Sequence, residues 1–325
     1  MQRYKNPVLS ADFPDPCVLE VPGEGFYAYA THDYFSPSPE SIQVSFSKDM
    51  VKWTDPKAVL TEKPTWAREC ELFWAPHVVK VGNEYRMYYS ADPDTHDGMC
   101  IALAKGERPD VFTDCGRPLT QGPSYRVIDP HFFIDPRSGK HYLYYGSAHE
   151  PISVVELSSD GMTFVGSPVP VLYPDPSRQF ETLREGAYMS YLPAFERYFL
   201  WVSGNNTWAT MEYAVTVFWS SGPLGPFERL PQQEIPGEPG MNIDSLILRP
   251  NRHWDAPGQN CIQADAAGND WIIYHAVDPH DRYIPGTSTF LRKMCMDRVY
   301  YTEDGWPYIR GGGPSHEEQD GPVVG

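Results

Sequence analysis

The chain has no apolar run of the roughly 20 residues that a bilayer span requires. Positive charge is scarce: 26 Lys and Arg stand against 43 Asp and Glu, a net charge of −17. Nucleic acid and anionic membranes both need a basic surface, so neither is an expected partner. A neutral small oligosaccharide is compatible with such a surface. The six cysteines (17, 70, 100, 115, 261 and 295) include no CxxC pair and no metal-finger spacing. They read as reduced thiols, mostly core fillers. The first residues, Met1-Gln2-Arg3-Tyr4-Lys5-Asn6-Pro7, lack the apolar region of a secretory signal, so a cytoplasmic location is expected.

Turn formers and aromatics are abundant instead, with 33 Pro, 26 Gly, 21 Tyr and 9 Trp. That mixture suits many short strands joined by tight turns and does not suit a helical protein. Five segments share one shape, a small or breaking residue followed by a strand-like run. They begin near Phe13, Trp74, Ile128, Arg184 and Gly258. About a dozen residues after each comes an aromatic strand: Phe26–Thr31, Tyr85–Ser90, His141–Gly146, Tyr198–Ser203 and Trp271–His275. Third strands follow at Ile42–Phe46, Cys100–Ala104, Ile152–Leu157, Ala214–Ser220 and Leu291–Met296, and a turn then leads to a fourth. In the last unit that turn is Glu303-Asp304-Gly305.

Five four-stranded antiparallel meanders at a roughly 55–75 residue period predict an all-β fold, a five-bladed β-propeller around a central axis. Residues 1–310 form this single domain, and the Gly-rich, acidic tail 311–325 is expected to be loosely ordered. Cys17 and Cys261 hold equivalent places in their repeats and read as small buried positions near the axis.

Three of the five first strands carry an acid at what reads as one place: Asp15, Asp129 and Glu185. A ring of strands would gather them into one cleft. Cleaving a glycosidic bond needs one protonated and one ionised carboxyl on opposite sides of the sugar carbon, roughly 6.5–9.5 Å apart when the reaction inverts configuration. Asp15 lies between Pro14 and Pro16, which are expected to hold the backbone extended and rigid for a base. Glu185 is followed by small residues that admit a ligand, and Glu181 is its off-register rival. Asp129 supplies the second charge that raises an acid's pKa. The other Asp-Pro pairs, such as Asp135-Pro136, fall off-register and read as turns.

These residues resemble glycoside hydrolase family 43, and the likeness covers nearly the whole chain. Asn6-Pro7-Val8-Leu9 with Asp12-Phe13-Pro14-Asp15-Pro16 is similar to the family's opening motif, Trp74-Ala75-Pro76 to its second, and Val127-Ile128-Asp129-Pro130 to its third. Glu185-Gly186-Ala187, then Trp254 to Ile262 with Tyr274-His275-Ala276, and Asp304-Gly305-Trp306-Pro307 continue the series. The resemblance implies that Asp15 is the general base, Glu185 the general acid, and Asp129 the residue that orients the acid and tunes its pKa. It also implies a calcium ion on the axis at His275. His77, Gln259 and Ala187 depart from the family's usual Asp, His and Pro.

Trp74, Phe35, Tyr188 and Trp208 are candidates to stack on a sugar, Arg292 to bond its hydroxyls, and His32 and Asp33 to line the mouth. The expected activity is exo-acting α-L-arabinofuranosidase, with β-xylosidase and then endo-arabinanase as alternatives. A propeller that binds sugar without cutting it is the non-enzymatic alternative.

Overall fold

A computed structural model describes residues 2–32, 41–206, 210–235 and 242–325. Five antiparallel sheets follow one another along the chain as the blades of a five-bladed propeller. Blade 1 is Cys17–Val21, Gly25–Ala30, Gln43–Ser47 and Lys57–Ala58. Blade 2 is Phe73–Val81, Glu84–Ala91, Cys100–Arg108 and Val111–Gln121. Blade 3 is His131–Ile134, His141–Tyr145, Ile152–Leu157 and Phe164–Leu172. Blade 4 is Arg184–Leu192, Arg197–Asn206, Glu212–Ser220 and Glu228–Arg229. Blade 5 has three laddered strands, Asp255–Ala264, Asp270–Val277 and Arg292–Arg298.

The second strands are continuous apolar runs because sheets cover both of their faces. Met87, Tyr88, Tyr89 and Ala91 are each fully buried, and so are Leu143 and Tyr144. One apolar cluster joins Tyr29, Ile42 and Val44 of blade 1 to Phe73, Met87 and Tyr89 of blade 2. Another joins Phe199, Trp201 and Val215 of blade 4 to Ile272, Tyr274 and Cys295 of blade 5.

The fourth place in blade 5 does not come from residues after Glu303-Asp304-Gly305, as the sequence suggested. Tyr300–Tyr301 and Pro307–Tyr308 pair only with each other. The opening segment runs beside Arg292–Arg298 instead. Val8 donates its amide to Met294 O (2.9 Å), Met294 donates to Leu9 O (3.1 Å), and Phe13 donates to Arg292 O (2.8 Å). The Asn6 side chain brackets Met296, donating to its carbonyl at 3.0 Å and accepting its amide at 2.9 Å. The two ends of the domain thus close the ring. The tail is also ordered, contrary to expectation. Gln319–Asp320 pairs with Arg3–Tyr4, and Arg3 meets Asp320 at 2.7 Å.

One backbone device repeats in every blade. Asp15 (φ 56°), Ala75 (φ 43°), Asp129 (φ 59°), Gly186 (φ 60°) and Gln259 (φ 51°) are all left-handed. Each lies two residues before a ladder partner of the second strand: Cys17, His77, His131, Tyr188 and Cys261. In blades 2, 4 and 5 the turn is a bulge inside the ladder. The five triplets that start at these residues line a narrow cavity of about 30 Å³. That shared lining is the convergence on an axis expected from the repeats, with Cys17 and Cys261 buried in it.

Candidate active site

The left-handed turn at Asp15 replaces the extended backbone expected between two prolines. Aspartate tolerates this region better than most residues, and from this turn Asp15 lines the cavity that it shares with Asp129 and Glu185. It also corrects the register of the acids. Asp15 and Asp129 are equivalent, but the residue of blade 4 at that place is Gly186. Glu185 stands one position earlier, equivalent to Trp74 and Ile128. Neighbouring positions on different blades nevertheless point into one space. Asp15, Asp129 and Glu185 line a single cavity of about 50 Å³, with Trp74, Ile128, Tyr213, Gln259, His275 and Arg292 around them.

Asp15 is held from several sides. Thr31 donates its hydroxyl to Oδ2 at 2.5 Å and accepts the Ala75 amide at 2.7 Å. Arg292 Nη1 lies 3.3 Å from Oδ1. The guanidinium expected to bond sugar hydroxyls therefore also neutralises this carboxylate. Its strand is anchored beside Asp15, since Asp12 accepts the Arg292 amide at 3.1 Å. His275 Nδ1 lies 3.1 Å from the Asp15 amide and 3.2 Å from Oδ1, so the ring binds this residue whether it accepts or donates there. Burial pushes the Asp15 carboxyl up. The Arg292 charge and the bonds from His275 and Thr31 outweigh it and hold the pKa at about 2.

Glu185 has the opposite balance. Burial drives its carboxyl up to about 7, aided by the Asp15 charge, although the Ser147 and Tyr213 hydroxyls bond it. Ser147 donates to Oε2 at 2.6 Å and Tyr213 to Oε1 at 2.9 Å. Asp129 accepts the Gly186 amide at 3.0 Å. Burial and the charges of Glu185 and Asp15 raise its pKa as well. Two adjacent buried carboxyls cannot both ionise cheaply, so Glu185 and Asp129 retain a proton between them near neutrality.

Thr31, Ser147 and Tyr213 escaped the sequence reading, yet the repeat contained a signal for Thr31. Two residues past the ladder partner, each second strand has a fixed place: Thr31, Ser90, Gly146, Ser203 and His275. In four blades that side chain bonds the left-handed amide of the next blade. The pairs are Thr31 with Ala75, Ser90 with Asp129 (3.0 Å), Ser203 with Gln259 (2.7 Å), and His275 with Asp15. Blade 3 breaks the rule. Gly146 has no side chain there, Asp129 takes the Gly186 amide, and the following Ser147 turns to Glu185. The exception falls where the chemistry is.

His275 therefore serves where blades 1, 2 and 4 have a hydroxyl. Its ring also lies parallel to Tyr213, 5.5 Å away. Calcium prefers six to eight oxygen ligands. Among the described residues no three His, Cys, Asp or Glu side chains are grouped to hold a metal ion. With Arg292 beside Asp15, the donor set at His275 does not fit a calcium cage.

The remaining candidates separate. Trp74 lines the cavity and stacks on Tyr125 with centroids 5.8 Å apart. His32 is buried beside Glu71 at 4.0 Å, bridges to Phe73 through its backbone, and does not line the cavity of the acids. Tyr188 lines the axial cavity and donates to Ile262 O at 2.9 Å, so it packs rather than stacks on a sugar. Glu181 is locked between Arg184 and Arg229 and does not reach the cavity. His77 is neutral, since burial lowers its pKa to about 3, and its Nδ1 accepts the Phe132 amide at 3.1 Å. Asp135-Pro136 is a turn in which Asp135 accepts the Ser138 hydroxyl at 2.5 Å. Asp33, Phe35 and Trp208 lie outside the described residues.

The family model described as glycosyl hydrolases family 43 matches residues 4–307. The chain belongs to glycosyl hydrolases family 43. A β-D-galactofuranosidase of Aspergillus niger is 25% identical over 317 residues, covering 92% of this chain and 83% of that protein. An extracellular endo-α-(1→5)-L-arabinanase of Bacillus subtilis is 25% identical, with 90% and 69% covered. An extracellular exo-α-(1→5)-L-arabinofuranosidase of Cellvibrio japonicus is 23% identical, with 92% and 86% covered. Among solved structures, a thermostable family-43 glycoside hydrolase superposes with a TM-score of 0.78 at 27% identity, covering 99% of this chain and 100% of that one. This family 43 chain is thus a glycosidase whose relatives are named for several different sugars.

Proposed function

We propose that this glycosidase is an inverting, exo-acting α-L-arabinofuranosidase that releases arabinose from the ends of arabino-oligosaccharides. The observation that carries the mechanism is the opposed proton affinity of two carboxyls on one small cavity, with Asp15 at about 2 and Glu185 at about 7. Glu185 gives its proton to the leaving oxygen as the glycosidic C–O bond breaks. Asp15 takes a proton from the water whose oxygen forms the new bond at the sugar carbon from the opposite side. Exchange with solvent then restores both groups. Burial and the Asp15 charge keep Glu185 protonated, and Asp129, which shares a buried proton with it, fixes the backbone after it through the Gly186 amide. Thr31, Arg292 and His275 hold Asp15 ionised and oriented.

End-on attack is supported by the small volume around the acids and by the wall that Trp74 makes with Tyr125, which favours entry of one terminal ring. The choice of arabinose is supported by relatives named for α-(1→5)-L-arabinan bonds. The test is hydrolysis of 4-nitrophenyl α-L-arabinofuranoside, β-D-xyloside and β-D-galactofuranoside, with arabino-oligosaccharides followed by chromatography and proton NMR. The expected result is preferred turnover of the arabinofuranoside, single arabinose units cut from chain ends, and a first-formed sugar of inverted configuration. Mid-chain products would make the enzyme an endo-arabinanase, and preferred xyloside turnover a β-xylosidase. Retained configuration would refute the roles given to Asp15 and Glu185. Binding of all these sugars with no turnover would leave a lectin.

A further inference from the structure

The largest of the cavities described here is not the one with the acids. A space of about 420 Å³ lies at blade 5, inside the range of small-molecule sites, roughly 300–1,000 Å³. It sits at the opposite end of the strands from the catalytic carboxyls. Trp271 is near the start of the second strand of that blade and Arg298 ends the third, whereas His275 and Arg292 mark the ends that face Asp15. Its far wall is built by the two ends of the chain. Tyr4 pairs with Gln319, Gly321 donates its amide to Gln2 O at 2.7 Å, and Ala266 donates to Val323 O at 2.8 Å.

The lining has three kinds of surface. Tyr4, Trp271 and Ile309 are buried and form an aromatic and aliphatic floor. Asn269, Ser315 and Gln319 offer amide and hydroxyl groups suited to a polyol. Two guanidiniums complete it. Arg298 and Arg310 both pack against Tyr300, their central carbons 5.0 and 4.3 Å from its ring centroid. A guanidinium held against an aromatic ring keeps N–H edges free to grip an anion.

Neither arginine has a carboxylate partner among the described residues, in a chain with 43 acids against 26 bases. Arg298 bonds the neutral amide of Asn269. The carboxylates on the wall are already engaged. Asp297 accepts the Tyr274 hydroxyl at 2.6 Å and the Ser315 amide at 3.2 Å, and Asp320 is paired with Arg3 at 2.7 Å. Two exposed cations with no ion-pair partner among the described residues, beside a polar, roomy cavity with an aromatic floor, define a ligand of complementary kind.

We propose that this cavity binds a small anionic sugar, a polyol whose carboxylate or phosphate is held by Arg298 and Arg310. The site is separate from the catalytic one, and its occupant bridges the two chain ends that form its wall.

Isothermal titration calorimetry on the full chain at low salt tests this with D-glucuronate, D-glucose 6-phosphate and D-glucose. These share one sugar body and differ in the anionic group. At least one of the two anions is expected to bind about tenfold or more tighter than glucose, as charge-assisted bonds to guanidinium require. Binding of glucuronate alone identifies a carboxylate ligand, and binding of the phosphate ester alone identifies a phosphate. The double variant Arg298→Gln/Arg310→Gln is expected to lose that binding while arabinoside hydrolysis is unchanged. Equal affinity for all three sugars, no binding of either anion, or anion binding that survives in the double variant would overturn the proposal. If the double variant unfolds early by circular dichroism, Val323→Trp fills the cavity from its exposed rim with both arginines kept. Anion binding retained in that variant would overturn it equally.

Discussion

Replacing Glu185 with glutamine should stabilise the protein at alkaline pH and not at acid pH. The carboxyl of Glu185 rises from an ordinary 4.5 to about 7 because it is buried beside Asp15. Below pH 4.5 the group is neutral both folded and unfolded, so it carries no penalty. Above pH 7 it is ionised in both states, and the folded state bears the cost of a buried charge. Stability is therefore lost as pH climbs from 4.5 through about 7. The loss amounts to about 3 kcal/mol from the linkage between pKa and folding. Glutamine keeps the shape, still meets Tyr213 and Ser147, and never ionises. Urea unfolding of the wild type and of Glu185→Gln at pH 4.5 and pH 8 reads this contribution together with the accompanying change at Asp129, which shares its proton with Glu185. The two proteins should be close in stability at pH 4.5. At pH 8 the variant should be more stable by up to about 3 kcal/mol, or roughly 6 °C in melting temperature. It should also lose hydrolysis by a factor on the order of 100 to 10,000. A stability gap that is the same at both pH values, or that favours the wild type at pH 8, would refute the account of this carboxyl.

Four more outcomes follow from the same geometry. Ser147→Ala removes a bond at 2.6 Å that favours ionised Glu185, so the alkaline limb of the rate profile should move up by about one pH unit, and an unmoved limb would contradict that role. Arg292→Met leaves burial of Asp15 unopposed by its main counter-charge, so the acid limb should climb from near pH 2 past pH 4, read from kcat/KM against pH. Gly258→Ala places a methyl 2.2 Å from the Tyr213 ring and should push that hydroxyl off Glu185, lowering kcat about 10- to 100-fold with a near-normal circular dichroism spectrum. Treatment with a calcium chelator should leave hydrolysis unchanged, and a loss restored by added calcium would show that His275 helps to hold an ion after all.

The repeat was legible because strand pairing imposes it. The aromatic second strands were placed within three residues at each end, and Ile152–Leu157 in blade 3 was placed without error. The three acids were legible for a related reason, since acids at repeated positions in a ring must share its centre. The position of Glu185 was misjudged by one residue because the bulge around Gly186 is invisible in composition, and a one-residue slip reverses a side chain's face only in a regular strand. The left-handed turn at Asp15 was hidden by its prolines, which restrict their neighbour without choosing between the remaining conformations. Thr31, Ser147 and Tyr213 carry no chemical signature by type, and their roles depend on which amide or carboxyl lies opposite. The ring closure was obscure because the partners Leu9 and Met294 are separated by almost the whole chain, and nothing local marks Leu9 as a strand.

That closure has a temporal consequence. Asp15 is made long before the guanidinium and imidazole that fix it, which belong to residues 292 and 275. The fastening strand of the ring is likewise Arg292–Arg298. A nascent chain could complete four blades and still possess no working site. Catalytic competence arrives with the last clasp rather than growing blade by blade, so the appearance of turnover during refolding reports when head and tail have met.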